Sequence, residues 1–361
     1  MILYILGFFY IAASFLSRKH YNAYLGLLLV LLVMGFQSGV PGDYDSYQEN
    51  FNYLMFENAD ASRLRNESGW ILLIQFFGNI GSFHFFIFCI SLLQYLILAR
   101  FINLYADKRF RFIAGLIFYF SINMMLFQMK GLRQGLAVDL CVASLICLEK
   151  RKIISSGLIV LVACTFHTST FLFVPFLLLY ALIRDRKLMN ELHDKFSVIF
   201  PVFATLAYLL LYFSKEVFLD YVEPILLSLN LGGYEGYFGQ IEFVTYHPLI
   251  TIYGCIVTFA TSWYLTQTKG VVKYFTLLTL ASLFVELIFF GLGDLYRFSL
   301  FYGIFSIVVY PNIASLLHRR GYKLLSWAFA MLCVAYAWRT FITWTIRHSE
   351  DGFDNYRFLF L

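Results

Sequence analysis

The sequence predicts an all-α, polytopic integral membrane protein of about twelve transmembrane helices plus one interfacial helix, in a single membrane domain over residues 1–361. Three observations predict it. The chain is 60% hydrophobic and 14% charged, whereas soluble domains run near roughly 45–50% apolar and about 25% charged. Apolar runs approaching the roughly 20 residues that cross a bilayer recur about a dozen times. Basic residues fall in every second connection between those runs, as the positive-inside rule requires.

In chain order the predicted spans are 2–16, 22–37, 84–104, 110–128, 133–148, 153–166, 168–183, 196–213, 248–266, 271–290, 295–316 and 324–345. The first has no positive region before it and no small-residue cleavage site after it. It reads as a retained helix rather than a signal peptide. The connections at Arg18/Lys19, Arg100–Arg111, Lys150–Lys152, Arg184–Lys195, Lys269/Lys273 and Arg319–Lys323 hold two thirds of the Lys and Arg. They are therefore placed inside, and both termini and the remaining connections outside. The segment Trp70–Ile80 is apolar but short. Counting it as a crossing inverts everything downstream, so it is expected as an interfacial or re-entrant helix on the outer side. Two outer loops are long, about 38–83 and 214–247, and the second contains Leu231-Gly-Gly-Tyr-Glu-Gly-Tyr-Phe-Gly239. Both mix Tyr and Phe with acidic and amide residues. That suits ordered loops on a membrane surface, and aromatic faces also stack on sugar rings. An aromatic belt accounts for any single Tyr equally well.

Several function classes fall away. The net charge of +5 is spread over short inter-helix clusters, so topology explains it and no nucleic-acid partner is expected. The six cysteines are scattered through apolar runs without a CxxC pair, which argues against a zinc or redox site. No metal-ligand cluster is evident, and neither metal nor cofactor is expected.

Once the spans are placed, the polar residues of functional type fall at the outer face. Asp43 and Asp45 stand in Gly42-Asp-Tyr-Asp-Ser-Tyr47, and Glu67 and Gly69 precede the interfacial helix. Lys130, Arg133 and Gln134 open the fifth span in Met129-Lys-Gly-Leu-Arg-Gln-Gly135. His167, Thr168 and Ser169 link the sixth and seventh, and Asp294 and Arg297 open the eleventh in Gly291-Leu-Gly-Asp-Leu-Tyr-Arg-Phe298. Arg133, His167 and Arg297 each stand at or beside the N-terminus of an inward-running helix. Such ends present unpaired N–H groups and partial positive charge, and they bind phosphate. An arginine adds a planar fork matched to phosphate oxygens. The combination suits a lipid-linked diphosphate, whose head group lies at the membrane surface while its tail lies among the helices.

Each residue also has a plainer reading. An arginine at a helix end can be interfacial, Asp294 and Arg297 can pair across three positions, and Gly-Asp-Tyr-Asp can be turn chemistry. An interfacial histidine can be a hydrogen-bonded wall residue. Convergence on one face, rather than any one residue, favours function. Two carboxylates lie within spans, Asp139 in the fifth and Glu286 in the tenth. Such groups are costly in a bilayer. Asp139, six residues past Arg133, points to a different face of its helix and calls for a polar partner on another helix. Glu286 lies nearer the outer site.

Together these strings resemble the EpsG-like family of bacterial exopolysaccharide, capsule and O-antigen polymerases, related to the Wzy-type enzymes. The resemblance rests on Gly42-Asp43-Tyr44-Asp45-Ser46-Tyr47 with Phe51, Glu67-Ser68-Gly69, Leu132-Arg133-Gln134 with Ala137, Phe166-His167 with Ser169, and Arg297 between Tyr296 and Phe298. Glu67-Ser-Gly stands where the family often has Glu-Pro-Gly, with the acid kept.

The resemblance implies a glycosyltransferase of GT-C-like architecture in the bacterial cytoplasmic membrane. It would join sugar repeat units carried on undecaprenyl diphosphate at the outer face. In that reading Arg133 and Arg297 neutralise the leaving diphosphate. His167 is the first choice of general base, being a residue type suited to proton transfer near neutrality, and Asp43 or Asp45 the second. Glu67 orients the acceptor or holds a metal. Gln134, Lys130, Asp294, Ser169 and Tyr47 complete the expected substrate contacts. The alternatives are a flippase or transporter for a lipid-linked oligosaccharide, and another transferase or ligase using a polyprenyl-linked donor. Transporters commonly place polar sites near the midplane between repeats, and the sequence shows neither feature. It leaves open whether a chain-length regulator docks on the protein.

Overall fold

Apolar chain in a bilayer has to satisfy its own backbone polar groups, and a helix does so within one segment. The computed structural model describes residues 2–16, 22–38, 43–56, 67–184, 199–228, 248–289, 297–347 and 357–358. It is helical almost throughout. In order the helices are α1 (Ile2–Leu16), α2 (Ala23–Gly26), α3 (Leu28–Gly35), α4 (Tyr44–Phe56), α5 (Ser68–Gly78), α6 (Phe83–Tyr105), α7 (Arg111–Phe120), α8 (Phe127–Lys130) and α9 (Leu132–Glu149). There follow α10 (Ile153–Phe166), α11 (Val174–Ile183), α12 (Ile199–Ser228), α13 (Pro248–Gln267), α14 (Gly270–Phe289), α15 (Leu300–Gly303), α16 (Ser306–Arg319) and α17 (Lys323–Arg347).

The all-α membrane class holds. Helix stands at every predicted span, but length and composition license fewer crossings than the sequence suggested. Among the described residues four helices are long and apolar enough to cross a bilayer, namely α6, α13, α14 and the Lys323–Ile342 part of α17. Two bent pairs raise the number to six if each is one span. One bends by 61° between α7 and Asn123–Lys130, the other by 46° between Arg297–Gly303 and α16. The first bend interrupts the predicted span 110–128. There Ser121 turns extended, and a π-helical turn over Ile122–Leu126 follows. Ser and Asn side chains compete for backbone hydrogen bonds at such breaks. At the second predicted outer loop, α12 continues to Ser228, well into 214–247. Hydropathy marks where an apolar run ends, not where a helix ends. The rest of that loop, including Leu231–Gly239, lies outside the described residues.

The chain forms two compact units, Met1–Leu177 with Tyr310–Leu361, and Leu178–Val309. In the first, α6 serves as a ruler roughly 35 Å long. At its Phe83 end gather Tyr44 and Phe51 of α4, with ring centroids 5.3 and 5.6 Å from Phe83. At its Tyr105 end, Asn103 donates to the Asn22 side chain at 3.0 Å. Beside it Asn312 donates to the Tyr105 carbonyl at 2.8 Å and accepts from the Asp107 N–H at 2.7 Å. Arg319 pairs with Asp107 at 3.1 Å. Segments that the charge pattern assigned to one side thus meet at one end of this unit, and those assigned to the other side meet at the opposite end.

Helix α5 begins and finishes at the Phe83 end. Trp70 and Phe77, two turns apart, both touch Phe86 of α6, at 5.3 and 5.8 Å. The helix therefore lies across α6 rather than running beside it. A two-residue antiparallel pair, β1 (Gln37–Ser38) with β2 (Arg357–Phe358), brings the chain beyond α17 to the same end.

In the second unit α12 packs along α13, where Gly254 admits the ring of Tyr208. Tyr180 meets Tyr274 at 4.7 Å, and Phe275 stacks on Phe305 at 5.1 Å.

Candidate functional site

The site is built where three helix ends meet in the first unit. Glu67 caps α5 in an extended conformation, and its carbonyl accepts from the N–H groups of Trp70 and Ile71. Trp70 is fully buried and anchors the first turn of α5 against Phe86 and Tyr47. Gly69 does the rest. A Cβ at this position would run into the Thr165 side chain and stand 2.9 Å from its carbonyl. Without one, the start of α5 presses onto the last turn of α10, and the Glu67 side chain reaches His167.

The Glu67 carboxylate is the hub. Its Oε2 accepts from Arg133 Nη1. Its Oε1 lies 3.2 Å from His167 Nδ1 and accepts from the Thr168 N–H at 3.4 Å. Arg133 sits in the first turn of α9, and His167 caps the 3-10 turn Thr168–Leu172. Behind the guanidinium stands the buried Tyr47 ring, 5.9 Å from Arg133 Cζ to its centroid. The side chains of Glu67, Arg133 and His167 remain 16%, 24% and 23% exposed, so the cluster keeps one open face.

The charges follow from these contacts. Burial works against an ionised Glu67, but the His167 hydrogen bond and then the Arg133 charge outweigh it and hold the carboxyl at about 2. An ionised carboxylate can only accept, so the proton on this side of the imidazole belongs to Nδ1. In the neutral ring the lone pair is then on Nε2. Burial pushes the Tyr47 phenol up, with the Arg133 charge pulling against it. Arg133 Nε is buried and has no hydrogen-bond partner among the described residues.

The remaining predicted residues divide. Gln134 follows Arg133 on α9 and is buried, Lys130 ends α8 half-buried, and Ser169 is half-buried in the 3-10 turn. The Ser169 hydroxyl oxygen is itself buried and has no described partner. Asp43 and Asp45 stand exposed at the start of α4, and neither carboxylate pairs with a described residue. Tyr47 is buried and stands as the wall behind Arg133. Arg297 lies in the second unit, half-buried in a 3-10 turn, and Asp294 lies outside the described residues. Among the described residues no three His, Cys, Asp or Glu gather as metal ligands. Sequence reasoning placed Glu67 beside the site but missed that it bridges Arg133 and His167. The signal was there in Glu67-Ser-Gly69, an acid two residues before a glycine at a helix start.

Fold and site together define a multi-pass, all-helical membrane protein with a largely buried glutamate–arginine–histidine cluster, open on one face, where three helix ends meet. The chain belongs to the EpsG family, whose model matches residues 3–358. Membership points to a polysaccharide polymerase of glycosyltransferase type. No curated protein and no solved structure matches the chain.

Proposed function

We propose that the chain is a polymerase that joins oligosaccharide repeat units carried on undecaprenyl diphosphate, at the outer face of the bacterial cytoplasmic membrane. The observation that carries this reading is the Glu67 bridge, which holds a cation and an imidazole side by side at helix ends. Such a pair fits a reaction in which one group loses a proton while another leaves as an anion.

In the proposed step a hydroxyl of the acceptor repeat unit attacks the anomeric carbon of the donor chain. The new C–O bond forms as the bond to the lipid diphosphate breaks. The hydroxyl proton passes to His167 Nε2, and Glu67 stabilises the resulting imidazolium through Nδ1–H, the role that the carboxylate plays beside histidine in acyl transfer. Arg133 meets the charge that develops on the departing diphosphate, and loss of one such donor commonly costs roughly 10²–10³ in rate. On the sequence argument alone, Arg297 and Lys130 supply further positive charge. Asp43, Asp45, Gln134 and Ser169 contact sugar. Twelve crossings, both termini outside and a GT-C-like arrangement complete the proposal.

The test is reconstitution. Purified protein in proteoliposomes, given one defined lipid-linked repeat unit, should yield a ladder of longer lipid-linked products. Movement of the substrate between leaflets without any ladder would instead make the protein a flippase. Transfer to a foreign acceptor without self-extension would make it a ligase.

A further inference from the structure

A second polar cluster lies deeper in the first unit, on α6, α8 and α9, and the proposed reaction does not use it. Asp139 of α9 is fully buried and accepts a hydrogen bond from Gln128 Nε2 of α8 at 3.0 Å. Gly135, one turn earlier on the same face of α9, lets that helix approach both neighbours. A Cβ there would stand 2.9 Å from Gln128 Cα and 3.1 Å from Gln94 Nε2 of α6. Ser91 precedes Gln94 by one turn on α6. Ser91, Gln94 and Asp139 are 0% exposed and Gln128 is 2% exposed. Yet Asp139 Oδ2, Gln128 Oε1, both polar atoms of Gln94 and Ser91 Oγ have no hydrogen-bond partner among the described residues.

Two features of this cluster identify its ligand. First, five buried polar atoms stand without partners among the described residues. Three are oxygens, Asp139 Oδ2, Gln128 Oε1 and Gln94 Oε1, and the others are the Gln94 amide nitrogen and the Ser91 hydroxyl, which can serve either way. Turning the Gln94 amide exchanges its two atoms and still leaves an oxygen of that side chain in the cluster. Native interiors leave few such atoms unsatisfied, and a bilayer offers no water to relieve them. Second, the cluster carries a carboxylate, and no Lys, Arg or His among the described residues pairs with it. A buried carboxyl either keeps its proton or gains a compensating charge. Water alone supplies donors but no charge. A small hard cation supplies the charge and takes carboxylate, amide and hydroxyl oxygens as ligands.

We propose that Asp139, Gln128, Gln94 and Ser91 form an intramembrane binding site for a monovalent cation of the sodium type. The bound ion would tie α6, α8 and α9 together, and so steady the helix that carries Arg133.

The test uses the full-length protein in nanodiscs, with radioactive sodium binding and thermal unfolding in sodium chloride against N-methylglucamine chloride at equal ionic strength. The expected result is saturable binding of about one sodium ion per chain and a Tm higher by roughly 2–4 °C in sodium. Asp139→Asn should lose both effects, and Gln94→Leu should weaken binding while leaving the carboxylate in place. The wild-type measurements stand whether or not a variant folds. Absence of saturable binding together with equal Tm values in the two salts would overturn the proposal, leaving a protonated or merely hydrated carboxyl. Unchanged sodium affinity in Asp139→Asn would overturn it as well.

Discussion

Replacing Glu67 by Gln keeps the size of the side chain and removes the charge that joins Arg133 to His167. The cost can be worked from the carboxyl itself. Its displacement from an ordinary 4.5 to about 2 corresponds to about 3 kcal/mol at about 1.4 kcal/mol per factor of ten. The side chains are 16% and 24% exposed, so solvent screening reduces this to roughly 1–3 kcal/mol. For a chain of this size that is a fall in Tm of several degrees, at roughly 2–4 °C per kcal/mol. The effect on rate should be larger than the effect on stability. The variant frees the guanidinium and the ring from their common anchor, and a misplacement of about 1 Å can cost about 10²-fold. The assay is chain elongation by purified protein on a lipid-linked repeat unit, beside a thermal unfolding curve. The expected outcome for Glu67→Gln is a small loss of Tm with a rate loss of roughly 10²–10³. A variant that elongates at the wild-type rate would refute the positioning role, whatever its Tm.

Other outcomes follow from the same geometry. Arg133→Ala should abolish polymer while membrane levels of the protein stay near wild type, and Arg133→Lys should fail to restore it, because an ammonium lacks the planar fork; this is read from product ladders. His167→Ala should lower the elongation rate by roughly 10²–10⁴, and a near-normal rate at every pH would move the base to Asp43 or Asp45. Gly69→Ala drives a methyl group into Thr165, so it should lift α5 off α10 and reproduce the Glu67→Gln rate loss with a stability cost of roughly 1–3 kcal/mol. Because the Glu67 carboxyl is held below its ordinary value, its contribution to stability is complete above about pH 4.5 and drains as pH falls toward about 2. A Tm series across that window should fall more steeply for wild type than for Glu67→Gln.

The fold class was legible because hydropathy reports burial in lipid directly. Length and composition alone license four to six of the twelve predicted crossings among the described residues, because a bend such as the one after Ser121 leaves the apolar pattern intact while breaking the helix. The charge pattern grouped Glu67, Arg133 and His167, although 66 and 100 residues separate the partners. It could not show which of them bridges the others. That depends on how closely α5 approaches α10, a matter settled by the missing side chain of Gly69 and the bulk of Trp70. Tyr47 illustrates the limit differently. An aromatic residue in a loop invites a sugar, but its place in α4 turns the ring inward behind Arg133. Asp139 called for a polar partner on another helix, and Gln128 is that partner. It lies only 11 residues away, across the helix boundary at Gly131, which falls in the gap between the predicted spans 110–128 and 133–148.

Direct binding of undecaprenyl diphosphate to the protein in nanodiscs, compared with undecaprenol, isolates the diphosphate as the recognised group. The account predicts saturable binding of the diphosphate by the wild type, weaker by roughly 10-fold or more in Arg133→Ala, and no comparable binding of the alcohol. Equal affinity of wild type and Arg133→Ala for the diphosphate would contradict it.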